Sequence, residues 1–186
     1  MIKLASFRPE YFDNNGDQAN IAVLGSHLEA MGKEVEVSTD CQNSDFLLIG
    51  DSSIAAHAHF EIELLGLVPE LKSRLQAGKP TLLVGRSWEY LAPLLGIPTL
   101  HGDRISKFLK LSALGHEVIG YHNSTLVEPR FFLSGAFVGT TLFGPLLAKN
   151  PSILKQLAQA LGVELSGEFF EESERLANLV RETTTF

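Results

Sequence analysis

Apolar and polar positions along the chain alternate between short continuous runs and stretches of helical spacing. Ile2 to Phe7 reads as a first strand, and RPEYFDNNG after it carries the Pro, Asn and Gly residues of a loop. From Asp17 onward, Ile21, Val23, Leu24, Leu28 and Met31 recur at mostly helical spacing, with Gly32 as the C-terminal stop. Glu34 to Ser38 alternates as an exposed strand does. Phe46 to Ile49 and Thr81 to Val84 are continuous apolar runs, which suit strands covered on both faces. Between them, Leu64, Leu65, Leu67, Val68, Leu71 and Leu75 place a helix over His59 to Ala77, ended by Gly78, with Pro69 forcing a start or a kink near it. His101 to Phe137 is richer in turn residues and reads as strands with loops. Two further helices follow, roughly Pro151 to Leu161 and Glu168 to Arg181.

Strands alternating with helices predict an α/β fold built on a mainly parallel, doubly wound sheet in three layers. With 186 residues and 45% hydrophobic content the chain can bury one full core. We expect one domain over residues 1–166, with an amphipathic helix over 167–186 packed on it. A net charge of −7 argues against phosphate-backbone binding, so no nucleic-acid partner is expected. MIKLASFRPEYF does not read as a signal peptide, and no apolar run approaches the roughly 20 residues that span a bilayer. A cytoplasmic protein without a membrane partner is the expectation. The single cysteine, Cys41, excludes an intramolecular disulfide and sits in a polar loop with no neighbour to lower its pKa.

Two segments carry the candidate chemistry. PTLLVGRSWEYLAPLL, from Pro80 to Leu95, is an apolar strand turning sharply into a helix, the geometry that lifts a nucleophile above an α/β sheet. GTTLFGPLLAKNP, from Gly139 to Pro151, is the second. Together with PEYFDNNGDQANIAVLGSHLEAMGKEVEV and DFLLIGD, they make the chain resemble class I glutamine amidotransferase domains of the CobB/CobQ (cobyric acid synthase) type, closest to GatD-type subunits that work beside a Mur-ligase-like partner. The GDxxN pattern of Gly16, Asp17 and Asn20 and the GPLLAKNP run from Gly144 are the most specific parts. The resemblance spans nearly the whole chain and implies a flavodoxin-like sheet.

In that family a cysteine at the elbow attacks the glutamine carboxamide, a histidine activates it, and backbone N–H groups hold the oxyanion. A thiolate needs a neighbour that keeps its pKa down, and departing ammonia needs a proton donor. In this sequence the resemblance puts Gly85 at the nucleophile position and Phe143 at the histidine position. The glycine-rich turn near the oxyanion becomes Gly50, Asp51, Ser52 and Ser53, which brings in a carboxylate that would oppose negative charge in the transition state. No catalytic residue of the family mechanism is therefore expected. Gly50, Asp51, Ser52, Arg86, Ser87, His122 and Asn123 remain as candidates for a residual pocket. Arg86 is read either as binding a carboxylate with its guanidinium fork or as pairing with Asp51 to seal the old site. A plugged pocket, with Phe143 filling the space of the missing imidazole, is the expectation, and a residual small-molecule site is the alternative.

Rival chemistry has weaker support. Gly85 to Glu89 matches a GxSxG elbow except for its last glycine, so Ser87 with His122 is a candidate hydrolase pair. The plainer reading makes Ser87 the cap of a helix from Trp88 to Leu95. His57 and His59 with Glu61 and Glu63 have the spacing of a weak metal motif, but on a helix they are ordinary neighbours on a solvated face, and no metal or other cofactor is expected. The sequence thus points to a catalytically silent amidotransferase-like protein. It would serve as a binding or regulatory subunit of a Mur-ligase-like or synthetase partner, or as a homo-oligomer. The alternatives are an amidotransferase with a non-standard nucleophile and the Ser87/His122 hydrolase.

Overall fold

The structure, a computed structural model, describes residues 1–185. In the first half of the chain, β1 (Ile2–Ser6), α1 (Ala19–Ala30), β2 (Val35–Ser38), β3 (Phe46–Ile49), α2 (Ile54–His59), α3 (Glu61–Ala77), β4 (Thr81–Val84) and α4 (Arg86–Leu94) follow one another. Then come β5 (Leu100–Ala113), β6 (His116–Glu128), β7 (Phe131–Ser134), β8 (Phe137–Thr140) and β9 (Leu142–Phe143). The short α5 (Leu146–Lys149), α6 (Pro151–Ala160) and α7 (Glu168–Thr183) complete the described elements.

Six strands form the main sheet in the order β2-β1-β3-β4-β8-β7. All neighbours pair in parallel except β7 with β8. The parallel part has the flavodoxin-like order, with its topological switch point between β1 and β3. Successive residues of the central strands feed opposite faces, as the two-residue period of a strand requires. Leu4, Phe46, Leu48, Leu82, Val84 and Val138 pack on one side with residues of α1, α5, α6 and α7. Ala5, Leu47, Ile49, Leu83 and Phe137 pack on the other with α3 and α4. The result is the α/β, three-layer arrangement expected from the apolar runs.

Two interior contacts fix the layers. Arg74, fully buried near the end of α3, donates to Thr81 Oγ1 and to the carbonyls of Ser44, Asp45 and Pro80, so it ties α3 to the starts of β3 and β4. Trp88 of α4 donates its indole N–H to the Pro129 carbonyl and lies flat against Phe132. The ring passes so close to Gly139 of β8 that a Cβ there would overlap it.

The helix expected over His59 to Ala77 is α3, ended by Gly78 as read, but a separate short helix that the sequence reading did not give, α2, precedes it. Ser53 Oγ accepts the Ala56 N–H and starts α2 on its own, and Phe60 breaks the path by docking on Phe7, Phe12 and Tyr11. Glu61 and Glu63 then occupy the first turn of α3, where the helix dipole favours them, and Pro69 lies inside that helix. The region read as strands with loops is dominated by a long antiparallel hairpin, β5 with β6, which continues through β9 as a second, three-stranded sheet. No helix among the described residues is long and apolar enough to cross a membrane.

Candidate functional site

The site is built at the carboxyl ends of β1, β3 and β4, beside the switch point where sheets of this order form their crevice. Gly85 follows β4 directly and holds φ 60°, ψ −128°, a conformation that L side chains rarely adopt. Its N–H donates to the Thr140 carbonyl at 2.8 Å, which locks the elbow to the end of β8. Three residues beyond Thr140, Phe143 is held in β9 opposite Tyr121 of β6. The two positions meet, since a Cβ on residue 85 would lie 2.6 Å from Phe143 Cε1.

Asp51 occupies the mouth of the elbow. Its Oδ1 accepts the Arg86 backbone N–H at 2.8 Å, at the first residue of α4. Its Oδ2 accepts from the side-chain amides of Asn14 at 3.1 Å and Asn15 at 2.8 Å. Oδ1 also stands 2.5 Å from a Cβ built on Gly85. A carboxylate thus takes the amide at which an elbow enzyme would gather oxyanion charge, in space that a nucleophile's side chain would need. The expected pairing of Asp51 with Arg86 exists, but through the backbone amide rather than the guanidinium. The guanidinium does not seal the site.

The GDxxN and GPLLAKNP segments are the frame around this arrangement. Buried Asp17 accepts the Asp51 N–H at 2.7 Å and the Gly144 N–H at 3.2 Å, joining the turns on either side of the elbow. Burial pushes its carboxyl up to about 7 against the pull of those two amides, and the nearby Asp51 charge pushes the same way. Asn20 accepts the Leu147 N–H and donates to the carbonyls of Asp17 and Gly144. Asn150 bonds both the N–H and the carbonyl of Ile119 and so fastens β6 to the start of α6. Lys149, held below its usual pKa by burial, donates to the Phe143 carbonyl.

A cavity of about 500 Å³ opens over the elbow. Of the candidate pocket residues, Asp51, Ser52, Arg86 and Asn123 line it together with Phe143, while Gly50, Ser87 and His122 do not. Phe143 therefore fills the space against Gly85 and also forms a wall of a cavity that stays open beside it. Asn14, Asn15, Glu89, Arg104, Tyr121 and Ser124 complete much of the lining and were not singled out in the sequence. Asn14 and Asn15 follow from the loop after β1. Arg104, Tyr121 and Ser124 arrive on the hairpin, whose placement over the site no local pattern encodes.

Ser87 is neither a cap nor a poised nucleophile. It lies fully buried in the first turn of α4 and donates its hydroxyl to the Gly50 carbonyl at 2.7 Å. His122 bonds Thr141 Oγ1 through Nδ1, its Nε2 has no partner, and no Ser87–His122 hydrogen bond forms. Burial, followed by the Arg130 charge, holds the imidazole below its usual pKa.

The solvated-face reading of the HxH pair holds for His59 but not for His57. His57 is buried against Tyr90 and Phe12 with both ring nitrogens unpaired, and burial together with the Arg86 charge lowers its pKa. Among the described residues no group of three or more His, Cys, Asp or Glu side chains could hold a metal ion. Cys41 is buried and its thiol is pushed up to about 11 by burial, with the Asp40 charge adding to this.

No protein-family profile and no curated protein matches this sequence. Among solved structures the chain is similar to a glutamine amidotransferase from Thermotoga maritima, at 15% identity and a TM-score of 0.49, over 98% of this chain and 89% of that one. It is also similar to a candidate GMP synthase component from Thermoplasma acidophilum, at 12% identity and a TM-score of 0.46, over 97% and 98% of the two chains. These are likenesses of chain path, at identities too low to carry an activity or a residue's role across.

Proposed function

We propose that this chain is a catalytically silent protein of the glutamine amidotransferase type, of the CobB/CobQ kind and near GatD, that serves in a binding or regulatory role beside a larger enzyme. The observation that carries this reading is the Asp51 carboxylate seated on the Arg86 amide against a side-chain-free residue 85. Covalent glutamine hydrolysis needs a nucleophile, a base to activate it and donors for the oxyanion. Here the elbow residue is glycine, the residue facing it is phenylalanine, and the elbow amide already holds a negative group. The bonds that frame the elbow, from Asp17 and Asn20, are nevertheless in place. A retained frame around an emptied reaction centre is what a protein kept for docking or sensing requires. The resemblance supports a Mur-ligase-like or synthetase protein as its partner.

The test has two arms. Ammonia release from glutamine is measured for the purified chain and for the complex recovered from its source with a tagged copy. The proposal expects no release dependent on this chain in either preparation, together with stoichiometric recovery of a ligase-like protein. Turnover that survives removal of contaminating amidotransferases, or recovery of the chain alone under gentle conditions, would overturn it.

A further inference from the structure

We propose that the cavity over the elbow is a binding site for a small organic or inorganic oxyanion, a carboxylate or a phosphate, held by the Arg86 guanidinium and the Ser52 hydroxyl. Two buried donors on its lining have no acceptor: Arg86 Nε and Ser52 Oγ. Ser52 is only 2% exposed, so bulk water does not satisfy it. Much of the remaining polar lining is already engaged. Asp51 spends both oxygens on the Arg86 N–H and on Asn14 and Asn15, Glu89 accepts from Ser124, and Arg104 donates Nε to Asn123. Arg86 joins no ion pair among the described residues.

An unmet charged donor in a buried place is expensive, and a guanidinium fork matches the paired oxygens of a carboxylate or phosphate. Arg104 brings a second positive group to the lining from the hairpin, and Glu89 is the one lining carboxylate besides Asp51. The volume of about 500 Å³ suits a small metabolite rather than a polymer. The inference goes beyond the docking proposal and stands independently of it.

The experiment titrates the purified full chain, at constant ionic strength and in an oxyanion-free buffer, with inorganic phosphate in one arm and succinate in the other. Binding is read by calorimetry and by the shift in thermal midpoint. Saturable binding is expected in at least one arm, and which arm saturates distinguishes phosphate from carboxylate ligands. Arg86→Gln should weaken it by about tenfold or more and Ser52→Ala by about three- to tenfold, as lost charge-assisted and neutral hydrogen bonds do. Arg175→Gln, in an exposed ion pair on α7, should leave it unchanged. If Arg86→Gln does not fold, Ser52→Ala decides. No saturable binding of either anion at millimolar concentration, full affinity in the folded variants, or equal weakening by Arg175→Gln would overturn the proposal.

Discussion

Asp51 and Arg86 are joined by a 2.8 Å hydrogen bond from backbone N–H to carboxylate, and the same carboxylate oxygen stands 2.5 Å from where residue 85 would carry a Cβ. Glycine at 85 is thereby required twice, by its φ of 60° and by the space that Asp51 and Phe143 occupy. Gly85→Ala should destabilise the protein by about 2–4 kcal/mol in urea unfolding, from backbone strain and overpacking together. Because the two residues share that space, Asp51→Gly with Gly85→Ala should cost less than the sum of the single changes, by about 1 kcal/mol. Strict additivity would mean that the two side chains do not compete.

The same relationship qualifies any attempt to build a Cys–His reaction centre at this elbow. Gly85→Cys with Phe143→His would leave the thiol beside the Asp51 carboxylate, which raises a thiol's pKa instead of lowering it. That pair should be inert. Adding Asp51→Gly should increase thiol reactivity toward iodoacetamide at neutral pH by about tenfold. A reactive thiol in the presence of Asp51 would contradict this account of the elbow.

Asp17 gives a pH dependence with a definite sign. Its folded pKa of about 7 lies above the 3.8 of an unperturbed aspartate, so between these values the folded state binds more protons than the unfolded one. Its contribution to stability is therefore full below the ordinary carboxylate range and falls as pH rises through 7. His57 and His122, both held below their usual pKa, act oppositely and weaken the fold as pH drops. Comparison with Asp17→Asn isolates the aspartate: the stability advantage of the native protein over this variant should shrink between pH 4 and 7. An advantage that stays level or grows with pH would show that Asp17 is ionised throughout.

Asn150 links β6 to the start of α6 by bonding both polar backbone groups of Ile119, and it also accepts from Arg181. Asn150→Ala leaves those buried groups unpaired and should cost about 2–3 kcal/mol. Amide exchange at Ile119 should quicken more than at Leu82 in the central sheet. Uniform loosening would mean that the hairpin is anchored elsewhere.

What the sequence disclosed depended on how local the cause was. β3 and β4 are readable to the residue because strands buried on both faces have continuous apolar runs with sharp ends. The break at Phe60 is not, since it arises from packing on Phe7 and Phe12, far away in sequence. That Gly85 and Phe143 face each other comes to notice only through the resemblance, because nothing in their local spacing marks them as neighbours. Ser87 departs from its sequence reading for a related reason: the helix begins earlier than its pattern suggests, which turns a candidate cap into a buried donor to Gly50. Arg104 and Tyr121 stay invisible because their role depends on the register of a hairpin folded over the cavity.

The most direct test of the central claim is glutamine hydrolysis itself, followed as ammonia release by the purified chain and by its native complex, beside an Asp51→Ala control. With a carboxylate on the elbow amide and no nucleophile at residue 85, neither preparation should release ammonia that depends on this chain. Ammonia released in proportion to this chain would contradict the account, and its loss in Asp51→Ala would make Asp51 a working residue.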